Sequence, residues 1–454
     1  MAIDLHYQGA TNVDKHDRKW TRRTALKAAC ALASAPALGW VPSSDTTGVT
    51  PPPTPISLGK LPPDPNDWQA LKESLTGDLL EVQSPLEVCK ADPSNIAAKA
   101  VMKNMKNPFF LEEQPGATHT TGWVGAFDSA VSPRAVAAEN AADIVATVAF
   151  ARTHDLKLVV KGTGHDYLGR SSAPNSLLVW THKMRNIDVH DAFVPRGSQD
   201  AGIPAVTVAA GSRWLEAYDA VTNHAGRYVQ GGGCTSVGAC GGFILGSGFG
   251  ALSKRFGTGA GSMLEAEVVT ANGDVLIANE FQNPDLFWAL RGGGGGTFGI
   301  VTKLTLMTHE LPQTLGGFMG TIHAKNDAAY QKLIEEFIRF YPDHINNENW
   351  GETVKFAPDN TLELGLIFID LPEQEARKTW QPFMDWLDAY PADFERNIEI
   401  VSVPFKDYWN MDFWLDNYPA LIQQDPRTSA PKGQFWWKTN DSAVSEYMYG
   451  YQSR

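Results

Sequence analysis

Cysteine is scarce in this sequence, with four residues in 454. Cys30 falls in an N-terminal stretch with the features of a leader, which leaves Cys89, Cys234 and Cys240. An odd number of thiols does not build a disulfide framework, and no Cys-x-x-Cys or His-x-x-x-His spacing points to zinc. We therefore predict no metal site. We expect at least one thiol to be free, paired with another chain or bonded to another group.

The sequence also lacks a long apolar run and an excess of positive charge. No stretch of about 18 consecutive apolar residues is present, so we predict no membrane span. The formal charge of −13 argues against a nucleic-acid partner, because phosphates would be repelled. The remaining composition, 43% hydrophobic and 20% charged, is that of a globular protein whose length allows two or three domains.

Two common motifs are missing as well, the phosphate-binding Gly-x-x-x-x-Gly-Lys-Ser/Thr and the hydrolase Gly-x-Ser-x-Gly. Gly294 to Gly299 does fit Gly-x-Gly-x-x-Gly. A Rossmann site needs a strand before this motif and a helix after it. Here a short helical stretch precedes the motif and an extended stretch from Ile300 to Leu306 follows it. The order of these elements therefore predicts that the match is accidental.

The N-terminus is predicted to be a targeting segment. Arg22 and Arg23 precede a weakly apolar stretch from Ala28 to Leu38, which contains small residues suited to cleavage. Paired arginines before such a stretch resemble a twin-arginine export signal, and a chance pair in a tail is the alternative. We expect a signal over residues 1–37 and an exported protein, periplasmic or secreted.

The rest of the chain divides by composition. Residues 38–66 are rich in Pro, Thr and Ser and predict a linker. Residues 67–128 form an N-terminal segment that we expect to be helical over 68–106 and irregular afterwards. Mixed helix and strand patterns then predict an α+β domain over residues 129–312. A second α+β domain, with antiparallel strands facing outer helices, is expected over 313–454.

Aromatic residues are dense towards the end of the chain, between Trp409 and Tyr451. Such density is most often part of a core. It is also what lines a pocket for a flat or sugar-like substrate. Both interpretations remain open from the sequence.

Glycine is abundant, with 41 residues, and it concentrates in three loops of the first α+β domain. The first loop runs from Lys161 to Ser172 and follows a short apolar strand, the second runs from Gln230 to Gly250, and the third from Arg291 to Gly296. Glycine lets a backbone approach a ligand closely, and consecutive backbone N–H groups can hold a phosphate. Three such loops predict a large phosphate-bearing cofactor. His165 and Cys234 are nucleophiles that could tether it, although a turn histidine and a buried thiol are the plainer alternatives.

These loops resemble those of the flavin-linked oxidoreductases of the vanillyl-alcohol oxidase type, in the berberine-bridge-enzyme-like branch. Residues 161–172 are similar to the pyrophosphate loop of that family, and residues 233–238 to its cysteine loop. Residues 286–295 and 298–302 match the family signature almost letter for letter. The resemblance implies an FAD-binding domain of the PCMH type, with two subdomains, over residues 129–312 and a substrate domain over 313–454.

The resemblance also implies roles for single residues. His165 would bond the 8α-methyl carbon of FAD, Cys234 would bond flavin C6, and Val237 lies where oxygen access is controlled in the family. A small residue there favours an oxidase, and packing is the alternative role. The residues expected to bind the cofactor are Lys161, Gly162, Thr163, Gly164, His165, Asp166, Gly169, Arg170, Ser171, Cys234, Val237, Gly238, Gly241, Gly242, Gly248, Gly250 and Ile300.

Several departures from the family pattern limit what the resemblance implies. One residue is inserted before Gly241, so Cys240 has no counterpart. Trp180-Thr181-His182 replaces the usual Asp-Leu-Ser, and the Asp expected near Gly261 is missing. The ordinary C-terminus of the family is absent, so the substrate domain is expected to be truncated. No catalytic base is assigned.

The resemblance implies an FAD-dependent oxidase that acts on CH–OH groups of a small molecule, an alcohol, a sugar or an aromatic compound. Hydride would pass to flavin N5 and the electrons to oxygen, giving hydrogen peroxide. Two alternatives are a flavin dehydrogenase that uses another acceptor and a non-catalytic relative that binds flavin or carbohydrate.

Overall fold

The structure, a computed structural model, describes residues 62–119, 131–166 and 169–438, apart from the side chains of Lys90 and Ala91. The predicted export signal and most of the predicted linker lie outside these residues. None of the described helices is both long and apolar enough to cross a membrane.

The first sheet contains the strand that leads into the first glycine loop. Its order is β1-β2-β4-β3, in which β2, β4 and β3 are parallel and β1 is antiparallel to β2. The strands are β1 (Asp78–Glu81), β2 (Arg134–Ala137), β3 (Lys157–Lys161) and β4 (Ser176–Trp180). The helices of this region are α1 (Pro65–Ser74), α2 (Glu87–Ala91), α3 (Ile96–Asn104), α4 (Pro108–Glu112) and α5 (Ala141–His154).

A side-chain cap begins helix α5, and a residue in the left-handed conformation ends it. The Asn140 side chain caps its first turn, and Asp155 ends it in the left-handed conformation at φ +54°. Its buried Ile144 and Val148 belong to the main core. The helix returns the chain to β3, as the apolar pattern predicted.

Strand β1 corrects the prediction of one helical stretch over 68–106. The strand pairs with β2, a partner far along the chain. The Asp143 carboxylate in α5 accepts hydrogen bonds from the Thr76 and Gly77 backbone N–H groups at 2.7 and 3.2 Å. Local spacing could not reveal this strand because the partner that stabilises it is distant in sequence. The N-terminal segment therefore shares a sheet with the domain that follows.

The second sheet is antiparallel and carries the other two glycine loops. Its order is β5-β6-β10-β8-β9, and β7 also pairs with β10. The strands are β5 (Ile187–Phe193), β6 (Ile203–Ala209), β7 (Arg227–Val229), β8 (Met263–Val269), β9 (Val275–Ala278) and β10 (Ile300–Glu310). The helices are α6 (Trp214–Tyr218), which continues as a π-helical turn (Asp219–His224), α7 (Gly242–Leu245), α8 (Ser253–Phe256) and α9 (Pro284–Leu290).

Two sequence expectations are confirmed in this sheet. Strands β8 and β9 form a hairpin around residues 271–274, as the turn sequence Ala-Asn-Gly-Asp between two apolar runs predicts. The Gly-x-Gly-x-x-Gly match lies between helix α9 and strand β10, the reverse of the Rossmann order. The two subdomains and the antiparallel region after them give the predicted α+β fold.

The third sheet forms the second α+β region. Its order is β12-β13-β11-β14, with all neighbours antiparallel. Its strands are β11 (Thr314–Ala324), β12 (Trp350–Phe356), β13 (Thr361–Ile369) and β14 (Phe394–Pro404). Two helices lie between these strands in the chain, α10 (Asp327–His344) and α11 (Glu373–Asp388). The chain continues through a 3-10 turn (Phe405–Asp407), α12 (Met411–Asn417), β15 (Ile422–Gln424) and β16 (Phe435–Trp437).

The outer helices cover one face of this sheet. Phe318 of β11 stacks on Trp380 of α11 with 4.0 Å between ring centroids, and Phe337 of α10 is buried in the same cluster. The sheet also meets the second glycine loop. A Cβ at Gly351 would lie 1.6 Å from the Ala251 carbonyl oxygen, so only glycine permits this approach.

Candidate functional site

The first glycine loop begins where strand β3 ends. Its backbone turns at Gly164 and Gly169, whose φ angles of +79° and +69° favour glycine. A Cβ at Gly162 would lie 3.4 Å from the Ala210 carbonyl oxygen. Residues 167 and 168 of this loop lie outside the described part of the chain. The loop thus projects from the carboxyl end of a parallel strand, the usual place for a ligand in such sheets.

Two hydrogen bonds join the first loop to the second. The Gly238 backbone N–H donates to the Thr163 hydroxyl oxygen at 3.0 Å. Nε2 of His165 lies 2.9 Å from Oγ of Ser236. The predicted tether histidine therefore faces the loop that contains Cys234, which is half-buried and in no disulfide.

His165 has a second neighbour that the sequence did not indicate. The His119 ring stacks on it, with 3.6 Å between centroids and 26° between planes. The His119 backbone N–H donates to the Gly164 carbonyl at 3.0 Å. Burial, helped by the Lys161 ammonium, lowers the pKa of His119 to about 3. Burial and His119 together hold the pKa of His165 well below its usual range. Both rings are therefore neutral at pH 7, and a neutral ring keeps one nitrogen lone pair.

The Lys161 side chain is directed at protein. Its ammonium donates to the Gln114 and Ala117 carbonyls at 2.5 Å each, and the residue is 0% exposed. Burial lowers the pKa of Lys161 to about 7, although the Glu112 carboxylate acts in the opposite direction. Its Cε would lie 3.0 Å from a Cβ at Gly164. Lys161 thus supports the first loop from behind and ties it to the chain that leads to His119.

The second loop contains glycines of two kinds. A Cβ at Gly233, Gly241 or Gly242 would meet no atom of the described residues within 4 Å. By contrast, a Cβ at Gly248 would lie 3.1 Å from the Phe243 ring, and one at Gly250 would lie 2.3 Å from the Gly231 carbonyl oxygen. The first three line open space, whereas Gly248 and Gly250 allow the loop to fold on itself.

The third loop lies against the second. The Gly294 backbone N–H donates to the Leu245 carbonyl at 2.8 Å, and a Cβ at Gly295 would lie 3.0 Å from the Gly242 Cα. The Arg291 guanidinium donates to the Ala260 carbonyl at 3.0 Å. The structure therefore brings the three predicted loops together.

The other predicted residues occupy different surroundings. Asp166 and Arg170 form an ion pair at 2.8 Å. Ser171 is buried, and its hydroxyl has no hydrogen-bond partner among the described residues. Ile300 is the first residue of β10 and is buried. Cys240 is fully buried, and burial raises the pKa of its thiol far above the usual range, as expected of an unreactive core cysteine.

The aromatic residues near the end of the described chain pack beside the second glycine loop, around Gly232 and Thr235. Trp409 stacks on Tyr218 with 4.0 Å between centroids, and the Tyr218 hydroxyl donates to the Gly232 carbonyl at 2.6 Å. The Thr235 hydroxyl donates to the Phe435 carbonyl at 2.7 Å. Trp409 and Phe435 are buried. These two aromatics therefore act as core, while those beyond residue 438 lie outside the described residues.

The residues that the three loops bring together fit FAD. Open glycine backbone at Gly233, Gly241 and Gly242 provides a surface that a Cβ would fill, as close approach to a pyrophosphate and ring system requires. A neutral imidazole at His165 and the Cys234 thiol provide two nucleophiles. Over residues 62–119, 131–166 and 169–438, no group of three His, Cys, Asp or Glu side chains is placed to hold a metal ion.

Comparison with known proteins agrees with this fit. Residues 133–279 match the family described as an FAD binding domain. The FAD-linked oxidoreductase easE of Claviceps fusiformis is 38% identical over 334 residues, which cover 66% of this chain and 57% of that protein. The aligned part of the chain spans 51%, 65% and 57% of the length of three curated relatives.

Solved structures show the same fold. The VAO-type flavoprotein MtVAO615 of Myceliophthora thermophila C1 is similar at a TM-score of 0.66 and 28% identity, over 76% of this chain and 65% of that chain. A xylooligosaccharide oxidase of the same organism gives 0.51 and 24%, over 68% and 61%. A variant of berberine bridge enzyme gives 0.56 and 18%, over 77% and 65%. The last two likenesses concern the fold alone.

Proposed function

We propose that the chain is an FAD-dependent oxidase of alcohol or sugar CH–OH groups, of the vanillyl-alcohol oxidase type that its FAD-binding domain resembles. The observation that carries this proposal is the meeting of three glycine-rich loops around open space, with His165 facing the loop of Cys234. When bound, FAD supplies the hydride acceptor at N5 and passes the electron pair to oxygen, giving hydrogen peroxide.

The residues of this chain supply binding and orientation. Gly233, Gly241 and Gly242 leave room for the cofactor, and the bond between Thr163 and Gly238 keeps the first two loops in register. His165 would hold the flavin through its 8α-methyl carbon, and Cys234 would add a second bond at C6. Two bonds would leave the substrate side of the flavin open, because less of the protein must close over the ring to retain it.

The substrate class follows from the family resemblance and from one contact of the third sheet. Gly351 of that sheet lies against Ala251, the residue that follows the second glycine loop, where a substrate domain would face a flavin. A base in that domain would take the hydroxyl proton as hydride leaves the carbon.

The experiment that tests the proposal begins with the absorption spectrum of protein precipitated with acid. Yellow colour that stays in the pellet shows covalent flavin. Replacing His165 and Cys234 singly and then together should release it in steps, and flavin that stays covalent in the double variant contradicts the assignment. A panel of sugars and alcohols should bleach the flavin anaerobically, and oxygen uptake on mixing should follow.

The same panel separates the alternative functions. Bleaching without oxygen uptake, restored by an artificial electron acceptor, would indicate a dehydrogenase. Bound flavin that no substrate bleaches in a full-length protein would indicate a non-catalytic relative. Protein that stays colourless after refolding with FAD contradicts all three.

We further propose that the protein is exported, on the basis of Arg22 and Arg23 and the apolar stretch after them. The twin-arginine route carries folded proteins, which suits a protein that takes up its cofactor before export. Replacing both arginines by lysine should retain the protein inside the cell that makes it.

A further inference from the structure

We propose that His119 and Ser236 clamp the His165 ring from its face and from its edge, and are positioning residues for its covalent attachment to the flavin. The inference rests on the proposed function, in which His165 carries one of the tethers. It adds His119, which lies outside all three glycine loops, and it gives Ser236 of the second loop a role that the resemblance does not imply.

His119 fixes the plane of the His165 ring. Stacking at 3.6 Å covers one face of the ring and restricts its rotation. The hydrogen bond from the His119 backbone to the Gly164 carbonyl anchors the stacked ring to the residue next to His165. His119 is 3% exposed, and no described residue hydrogen-bonds its Nε2. Among the contacts given for the His119 ring, the stacking on His165 is the one that can act on the tether.

Ser236 fixes the orientation of the ring within that plane. Its hydroxyl lies 2.9 Å from Nε2 of His165. When Nε2–H donates to this hydroxyl, Nδ1 keeps the lone pair and is the nitrogen free to form a bond. A ring flipped by half a turn would lose this hydrogen bond. The two neighbours together leave one orientation and one nucleophilic nitrogen.

In the covalent attachment, a bond would form between Nδ1 of His165 and the 8α-methyl carbon of the flavin. One methyl hydrogen and the imidazole N–H proton are lost. The electron pair released passes through the flavin to dioxygen, which becomes hydrogen peroxide. Reactions of this kind depend on alignment, and a misplacement of about 1 Å can cost about 100-fold in rate.

The test uses a Cys234→Ala parent, so that His165 is the only expected tether. Three variants of this parent are compared: His119→Leu, His119→Phe and Ser236→Ala. Protein made without flavin is mixed with FAD. Covalent flavin is followed by the fluorescence of the denatured protein band, and total bound flavin by the absorbance of the native protein after desalting.

We expect His119→Leu and Ser236→Ala to slow covalent attachment by on the order of tenfold or more, with unchanged total flavin. His119→Phe should keep most of the rate, because a flat ring still covers His165. Unchanged rates in His119→Leu and Ser236→Ala overturn the clamp. The clamp is also overturned if a fall in total bound flavin or in melting temperature accounts for the slower covalent attachment, because His119 would then serve binding or folding.

A failure of the proposed function gives a different result. If the Cys234→Ala parent holds FAD without any covalent bond, or if His165→Ala in that parent still becomes covalently labelled, His165 is not the tether. That outcome rejects the tether and the clamp together. If the Cys234→Ala parent binds flavin covalently and the His119 and Ser236 variants attach it at the parent's rate, only the clamp is rejected.

Discussion

The Gly238 backbone N–H donates to the Thr163 hydroxyl oxygen at 3.0 Å, across 75 residues of sequence. Thr163 is buried, and a Cβ at Gly238 would lie 3.4 Å from that same hydroxyl oxygen. The pyrophosphate-like loop and the cysteine loop therefore share a direct polar contact where they approach each other. Both halves of the site depend on this threonine.

Replacing Thr163 by valine should loosen both loops. The Gly238 N–H would lose its partner in a partly buried place, which costs about 1 kcal/mol. Urea unfolding of the flavin-free protein should show this loss, and the affinity for FAD should fall with it. Thr163→Ser keeps the hydroxyl and is the matched control. Equal stability of the valine and serine variants would show that the hydrogen bond contributes nothing.

Replacing Gly242 by valine should separate cofactor binding from folding. Within the part of the chain that the structure describes, a Cβ there meets no atom within 4 Å, so the stability of the flavin-free protein should change by no more than about 0.5 kcal/mol. The side chain would occupy the space that we assign to FAD, and flavin content after purification should fall sharply. Normal flavin content in this variant would place the cofactor elsewhere.

Lys161 should make stability depend on pH at alkaline values. Its pKa in the folded protein is about 7, against an ordinary value of 10.5. Between these values the unfolded chain holds a proton that the folded chain has lost, so stability rises with pH in this window. The rise should amount to a few kcal/mol at most, on the order set by about 1.4 kcal/mol for each pKa unit.

The measurement for Lys161 is a difference between two pH series. Urea unfolding of the wild-type protein and of Lys161→Met is followed from pH 7 to pH 10. The wild-type protein should gain stability relative to the variant across this range. Parallel curves would show that the Lys161 ammonium titrates normally.

The buried ion pair between Arg213 and Glu112 should be sensitive to the loss of one partner. The two groups lie 2.8 Å apart, with side-chain exposures of 4% and 0%. Burial raises the pKa of Glu112 to about 8, while Arg213 and Arg185 act in the opposite direction. At pH 9 the carboxylate of the wild-type protein is charged. Arg213→Met should then cost about 3–5 kcal/mol, because the buried carboxylate keeps only the more distant Arg185 guanidinium, at 3.5 Å, as its partner.

A surface pair provides the control for that variant. Arg339 lies 3.6 Å from Glu336, and its side chain is 71% exposed. Arg339→Met should cost no more than about 1 kcal/mol at the same pH. Similar losses for the two methionine variants would mean that burial does not decide the strength of the Arg213 pair.

Val237 should control the reaction with oxygen. It follows Ser236 in the cysteine loop, and its backbone N–H donates to the Cys234 carbonyl at 3.3 Å. A larger side chain there should hinder oxygen without touching the hydride step. Val237→Leu should therefore reoxidise more slowly in stopped-flow mixing with oxygen, while its anaerobic reduction by substrate keeps the wild-type rate. Slowing of both steps would indicate a general disturbance of the site.

Features that depend on neighbours along the chain could be predicted from the amino-acid pattern alone. The helix α5 and the strand β3 follow from apolar spacing, the hairpin of β8 and β9 from turn residues, and the three loops from glycine. Strand β14 was not predicted, because its polar and apolar residues alternate irregularly on a half-exposed edge. Its place in the third sheet depends on pairing with β11 over its whole length.

The contacts between the loops and the side chains that surround His165 become visible in the folded protein alone. The stacking of His119, the hydrogen bond of Ser236 and the inward direction of Lys161 all join residues from separate segments. No local pattern encodes such contacts, because their free energy comes from burial and geometry that exist once the chain is folded. The sequence identified the histidine, and the fold supplied the surroundings that keep it neutral and oriented.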